Sequence, residues 1–554
     1  MKGKVRINYN NIDYREYGYG TSLKDVSKDF QDKYEYPILV ASIKNTVCHL
    51  SEKVLSDQVI NFYDRSSKIG NIVYERTLHF MLVVAIKKVL GEDVELIIEH
   101  SMDKGVYCEV IGEVVTDSVL RKIEQEIELM ANKGLTIEKV QVSRIEAIEH
   151  FKSKNQMDKV NLLKYTSNSY VTLFKLEDYY DYFFIDLADN TGVIDEFKFA
   201  KTSDIGFVLN YPDINSPEKT KNYDHNEILF DSYIKYTDWG KFIGVSNAPD
   251  LNKLISKGKY RSFVNICETY YEEQLGTIAD KIYKHHDDIK LVLLAGPTSS
   301  GKTTTSKRLE TYLNSRGLRT HQVSIDDYFH NRSDTPRDKN GNLDFESVNA
   351  IDIDLFNKHM TRLLEGETVL LPEYNFLTGE REYKDRNLKI KEDDVIIVEG
   401  LHALNDQMTL TIDSKNKYKI FISPLTHINI DNHNRVHATD IRKLRRIVRD
   451  NKYRGYTAAD TLRMWEKISE GEELFIYPFQ RDVDAIINSS LVYEISVLKI
   501  YAEPLLYTIS EDDPMYNEAI RLLKFLRNFL PLPSEVVPGD SILREFIGGS
   551  VYEN

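Results

Sequence analysis

With 554 residues the chain is too long for one hydrophobic core; at about 100–200 residues per domain it is expected to divide into three or more units. Its hydrophobic (42%) and charged (29%) fractions suit a soluble globular protein, and a formal net charge of −15 argues against a nucleic-acid binder working through its overall field, leaving only a local basic patch for that role. Cys48, Cys108 and Cys267 lie far apart with no C-x-x-C pair, which argues against a zinc finger or disulfide framework and for a reducing, cytoplasmic setting.

The opening stretch MKGKVRINYNNIDYREYGYG has no apolar h-region, so no secretory signal is expected there. KVRINYN and YPILVASI predict strands, with Leu23, Val26 and Phe30 at helical spacing between them. ERTLHFMLVVAIKKVL (75–90) is apolar on nearly every face and predicts a buried helix; its longest apolar run, FMLVVAI, is too short to cross a bilayer, so no membrane partner is expected. VELIIEH (94–100) and VYCEVIGEVV (106–115) predict strands. DSVLRKIEQEIELMANKG predicts an amphipathic helix with Asp117 as N-cap and Gly134 as its stop. Residues 165–245, rich in aromatics and turns, predict further sheet, and 260–287 a long helix that links two halves.

From residue 288 the pattern becomes strand–helix alternation, with strands at 290–295, 319–325, 394–400 and 417–423. Short continuous apolar runs bounded by turns suit a parallel sheet covered on both faces, an α/β three-layer domain. MYNEAIRLLKFLRNF predicts a helix, and PLPSEVVPGDSILREFIGGS (531–550) a turn-rich tail docked on that domain.

Between the first of these strands and its helix, GPTSSGKT fits G-x-x-x-x-G-K-[ST] from Gly296 to Thr303. Glycines permit a turn in which successive N–H groups point at phosphate oxygens, and the following helix adds its N-terminal dipole. Gly296, Pro297, Thr298, Ser299, Ser300, Gly301, Lys302, Thr303 and Thr304 are the expected ATP-binding residues, with Lys302 bridging the β- and γ-phosphates and the Thr303 hydroxyl on Mg²⁺. Asp326 and Asp327 close the second strand, where ligands of open α/β sheets bind; a carboxylate there can take a proton from an acceptor hydroxyl, touch the metal, or merely cap a turn. Glu399 ends the apolar strand VIIV, a position suited to ordering Mg²⁺. Arg442, Arg445, Arg446 and Arg449 recur at three- and four-residue spacing, giving one helix face able to clamp transferring phosphate.

GPTSSGKTT, SIDDYF, LPEYNF, VIIVEG and LRRIVRDNKYRG, in this order, resemble the uridine kinase and phosphoribulokinase family of P-loop enzymes over residues 288–500. The resemblance implies ATP–Mg²⁺ as donor, a nucleoside 5′-hydroxyl as acceptor and Asp326 as general base. It further implies that Glu346 holds ribose hydroxyls, that Tyr374 lines the acceptor pocket with Phe329 in a usual tyrosine position, and that Arg445, Arg446, Arg449 and Arg454 are lid arginines. Two positions depart from the family: Gly379 replaces a histidine and Met464 a glutamine, both facing the base, so pyrimidine discrimination is expected to weaken.

GTSLKDV, YPILVASIKN, ERTLHFML and DYFFIDLADNTG resemble the TGS-like and second additional (editing) domains of threonyl-tRNA synthetase. There an H-x-x-x-H pair and a later C-x-x-x-H are needed; here those positions read Glu75, His79, Phe183 and Leu187, which implies neither editing nor a metal. The two halves together resemble a bacterial fusion of a nucleoside kinase to a synthetase-like region. The expected division is a TGS-like domain at 1–62, an editing-like α+β domain at 63–245, a linker helix within 246–287, the kinase at 288–505, and a helix and tail at 506–554. Two alternatives stay open: an RNA-associated protein regulated by ATP, and a kinase of sugar phosphates, for which Arg381 is the candidate anion-binding residue. A homo-oligomer also stays open.

Overall fold

The structure is a computed structural model and describes residues 3–9, 13–338, 341–426 and 428–552. The chain begins with β1 (Lys4–Tyr9), β2 (Asp13–Gly18), α1 (Leu23–Lys28), β3 (Val40–Ile43), β4 (Thr46–Cys48) and β5 (Gln58–Tyr63). These strands form one sheet in the order β2-β1-β5-β3-β4. Val5, Ile7 and Tyr9 alternate to one face and pack on Leu23, Val26 and Phe30.

α2 (Lys68–Leu90) starts ahead of residue 75, where the apolar pattern begins, because Ser67 caps it: its Oγ accepts the Gly70 N–H at 3.0 Å. Residues 73–86 of this helix are all buried. It is the one helix among the described residues long and apolar enough to cross a membrane, and it forms the centre of its own domain. Around it lie β6 (Glu95–Met102), β7 (Gly105–Ile111), α3 (Asp117–Lys133), β8 (Ile137–Ser143), α4 (Arg144–Ser153), α5 (Met157–Leu163), β9 (Tyr170–Leu176), β10 (Tyr179–Asp181), β11 (Lys198–Lys201) and β12 (Gly206–Asn210). They build two sheets, β11-β12-β7-β6 and β10-β9-β8. The cap of α3 is Thr116, not Asp117: its Oγ1 accepts the Val119 N–H at 3.2 Å, which leaves Asp117 in the first turn, where its charge favours the helix dipole. Gly134 ends that helix in the left-handed region (φ 57°).

Sheet stops at residue 210; the rest of the stretch expected to be sheet contains α6 (Glu227–Ile243), capped by Asn226. α7 (Ala248–Ser256) and α8 (Tyr260–Lys284) follow. Then come β13 (Leu291–Ala295), α9 (Lys302–Ser315), β14 (Thr320–Ser324), α10 (Ile353–Leu364), β15 (Val369–Leu370), β16 (Glu373–Asn375), β17 (Glu380–Glu382), β18 (Asn387–Leu388), β19 (Val395–Glu399), β20 (Lys417–Ser423), α11 (Ala438–Arg454), α12 (Ala458–Phe475), β21 (Ala485–Asn488), α13 (Glu494–Leu506), α14 (Tyr516–Leu526) and α15 (Arg544–Ile547). The sheet β14-β19-β13-β20-β21 is parallel throughout. Val292 and Leu294 face a core with Leu309, Leu444 and Leu498, while Leu291 and Leu293 face another with Phe356 and Met360. Those two cores make the domain three-layered. The tail lies on α8 and α9: Ser541 Oγ donates to Glu268 (2.6 Å) and Lys307 Nζ to the Tyr552 carbonyl (2.7 Å).

Candidate active site

β14, β19 and β13 are adjacent and parallel, so their carboxyl ends converge on one edge. In register, Glu399 lies opposite both Ser324 and Leu294, and the Ser324 hydroxyl donates to its carboxylate at 3.1 Å. The chain leaves β13 through the phosphate loop. At Gly296 a Cβ would lie 2.0 Å from the Ile422 carbonyl oxygen, so no side chain fits. Ser299 (φ 58°) and Gly301 (φ 88°) turn the loop through the left-handed region before α9 begins at Lys302; such strain in a non-glycine residue clusters at functional sites. The Ser299 and Ser300 hydroxyls are buried without hydrogen-bond partners. Lys302 Nζ folds back on the Gly296 and Pro297 carbonyls (3.0 and 3.3 Å), while Thr303 is exposed at the mouth of the loop. Thr304 is occupied by the tail: its N–H and hydroxyl both donate to Glu545.

The two adjacent aspartates separate cleanly. Asp327 is held by Arg386 (2.8 Å) and by the Tyr374 N–H (3.4 Å), a structural duty. Asp326 is half-buried at the sheet edge; burial pushes its carboxyl above the ordinary range, and the charges of Lys302 and Arg454 pull against that. Burial, then the neighbouring Asp326 charge, raise Glu399 to about 7, opposed by Lys302. Burial lowers the Lys302 ammonium, with Glu399 and Asp326 opposing. Two carboxylates and a hydroxyl beside the loop are hard oxygen donors of the kind Mg²⁺ prefers, so Thr303, Glu399 and Asp326 fit that ion.

The arginine face of α11 divides into a brace and a rim. Arg445 is fully buried under the loop: it donates to Glu494 (2.7 Å) and to the carbonyls of Ser489 (2.6 Å) and Ser299 (3.2 Å). That placement corrects its expected part in a lid; all its donors serve the fold. Arg442 likewise donates to the Thr298 carbonyl (3.0 Å) and pairs with Glu472, which accepts the Thr298 N–H (2.8 Å). Arg446 donates to the Thr298 hydroxyl (2.8 Å). Arg446, Arg449 and Arg454 share one acid, Asp450, at 3.0, 2.8 and 3.6 Å. These three form the rim. Glu472, Asp450 and Glu545 went unnoticed in the sequence; Asp450, four residues after Arg446, carried a helical-spacing signal, whereas Glu545 carried none.

On the acceptor side, Phe329 and Tyr374 are buried with ring centroids 5.5 Å apart, and the Tyr374 hydroxyl is buried without a partner. Glu346 packs on Gly471 of α12 and is raised to about 7 by burial and by Glu472. Gly379 (φ 76°) lies beside Arg332, which donates to the Phe376 carbonyl (3.1 Å). Arg381 does not offer a free charge: its guanidinium is bound to Asp352 (2.9 Å) and to the Phe329 carbonyl (3.1 and 3.2 Å). Its expected role as an anion-binding residue is therefore not matched by its position.

Residues 291–496 match the Phosphoribulokinase / Uridine kinase family. They form a kinase domain that resembles that family. The uridine kinase of Halobacterium salinarum is 26% identical over 232 residues, 41% of this chain and 94% of that one. That of Mycoplasma genitalium is 29% identical over 224 residues, 40% and 96% of the respective chains. The N-terminal part is similar to threonine–tRNA ligase of Desulforamulus reducens, 24% identical over 160 residues, which is 29% of this chain and 25% of the ligase. The chain thus spans about a quarter of the ligases it matches. Beside the kinase domain, Glu75 is buried and paired with Arg435 (2.9 Å), His79 is fully buried, and Phe183 and Leu187 belong to the apolar core around α2.

Proposed function

We propose that the kinase domain, taken as residues 288–505, transfers the γ-phosphoryl group of ATP to the 5′-hydroxyl of a nucleoside in the cytoplasm. The observation that carries this reading is Asp326: a half-buried carboxylate at the carboxyl end of β14, beside Lys302 and Glu399, while its neighbour Asp327 is tied up elsewhere. In this reading Asp326 accepts the proton of the attacking hydroxyl, and its raised pKa makes it a better base. Lys302 leaves the loop carbonyls for the phosphates, and the rim arginines Arg446, Arg449 and Arg454 offset charge on the transferring group. Thr303 and Glu399 would hold Mg²⁺, which supplies charge neutralisation at the phosphates. Glu346, an acid, and Tyr374, whose hydroxyl is buried without a partner, suit a polyhydroxylated acceptor.

The engagement of Arg381 disfavours a phosphorylated sugar as acceptor. The test is formation of ADP and monophosphate across a nucleoside panel with Mg²⁺, with Asp326→Asn as control. Transfer to at least one nucleoside, lowered by about 10²-fold or more in the variant, is expected. Absence of any acceptor-dependent turnover, with ATP still bound, would sink the proposal.

A further inference from the structure

Residues 428–437 lead from β20 into α11, and the N-terminal half grips them along their length. The Ile98 N–H donates to the Asn432 carbonyl (2.8 Å), and the Asn429 amide donates to the Ile98 carbonyl (3.1 Å). The Asn432 N–H donates to Asp158 (3.0 Å), and the Asn434 amide to the Tyr182 carbonyl (2.8 Å). Lys159 lies 3.2 Å from Asp181 and 3.5 Å from Asp431. At the end of the segment Arg435, 3% exposed, donates to Glu75 through Nε (3.1 Å) and Nη2 (2.9 Å) and also to Ser101. Arg76 donates to His437 at 2.8 Å, one residue before α11 begins.

Adhesion between two halves needs no buried ions; apolar contact would serve as well or better. What this contact adds is direction: Nε and Nη2 of the planar guanidinium converge on one oxygen of Glu75 while Nη1 is held by Ser101, so the group is fixed on two edges at once. Glu75 belongs to α2, the buried centre of its domain, and Arg435 stands just ahead of the helix whose side chains brace and rim the phosphate loop. We infer that Glu75 and Arg435 are a positioning pair, through which the N-terminal half sets the orientation of α11 over the phosphate loop. The synthetase-like half then serves as an internal positioning element of the kinase. This rests on the proposed kinase reading for its catalytic consequence, though not for its structural one.

The test uses the full chain carrying Glu75→Met and Arg435→Met together, which removes both members of the pair; the buried Arg76, which faces Glu75, then keeps Asp440 as its acidic neighbour. The double variant should unfold in a single transition at a somewhat lower melting temperature, because Arg76 loses Glu75. At temperatures well below that transition it should lose about tenfold or more in kcat with little change in KM, since misplacement costs catalysis more than binding. Amide exchange over 438–449 should accelerate while 302–315 stays as in the parent. Arg435→Lys, which keeps the charge but loses the fork, should fall between the two and guards against a double variant that fails to fold. Parental exchange over 438–449 with parental kcat would overturn the inference, as would a loss spread evenly over the chain. Should the parent turn over no nucleoside, the kinase reading fails, and the exchange pattern alone still decides the pair.

Discussion

Glu545 accepts both the backbone N–H and the hydroxyl of Thr304, at 3.2 and 2.8 Å, so a carboxylate sits on the first turn of the helix that follows the phosphate loop. Free N–H groups in that turn are where phosphate is expected, and a bound anion there competes with another. Ile542, three residues earlier, packs directly on Gly301 and anchors the contact. Glu545→Gln removes the charge while keeping the size. Binding of ADP and ATP should tighten by about three- to tenfold, in line with about 1 kcal/mol for a charge at a helix N-terminus. Calorimetric titration reads this directly; equal or weaker affinity would mean that nucleotide and tail do not compete.

At Glu399, folding stability and metal affinity make opposite demands on pH, and Glu346 shares the first of them. Each is raised to about 7 from a usual 4.5, so the folded state holds protons that the unfolded state has released between those values. Stability from these groups is therefore present at low pH and lost as pH rises through about 7. Without metal, the melting temperature of the parent relative to Glu399→Gln should fall between about pH 5 and pH 8. Affinity for Mg²⁺ runs the other way, because only the ionised carboxylate holds the ion; in the parent it should climb through that range more steeply than in the variant. A difference in melting temperature that does not change with pH would refute the shift assigned to Glu399.

The local parts of this site were legible and the long-range ones were not. Gly296 to Thr304 follow from a spacing that encodes its own backbone geometry, and Asp326 and Glu399 from their place at the ends of apolar runs. The four core strands were legible for the same reason, whereas β21 has only four residues, AIIN, at the edge of the sheet. The arginines were visible as a face of one helix, but periodicity cannot tell a brace from a rim. That distinction depends on Glu472 and Glu494, which arrive from other elements. Glu545 lies 241 residues from Thr304, and no pattern of spacing links them.

Glu472 also sets a stability prediction. It is buried, accepts the Thr298 N–H at 2.8 Å and neutralises the equally buried Arg442. Glu472→Ala strands a guanidinium away from water, which costs about 3–5 kcal/mol. Paired replacement by Glu472→Met and Arg442→Met should cost much less, since no charge is left behind. Urea unfolding of the three proteins compares these costs. If Glu472→Ala loses under about 1 kcal/mol, the pair is not the brace described.

Arg381 gives the clearest separation between acceptor chemistries. Its carboxylate partner, Asp352, also caps α10 by accepting the Leu355 N–H at 3.0 Å, so Arg381 ties the β16–β17 hairpin to the start of that helix behind the acceptor pocket. Arg381→Met should lower stability by about 1–3 kcal/mol, the cost of leaving charged hydrogen bonds unmade. With a nucleoside acceptor, KM should stay within about twofold, because uniform binding to the acceptor is not what the residue supplies. A phosphorylated acceptor would behave differently: losing the cation that receives its phosphate would raise KM by about tenfold or more. Measuring stability and KM on the same variant thus distinguishes a pin in the fold from a ligand in the pocket, and a large rise in KM at unchanged stability would favour the sugar-phosphate kinase over the nucleoside kinase.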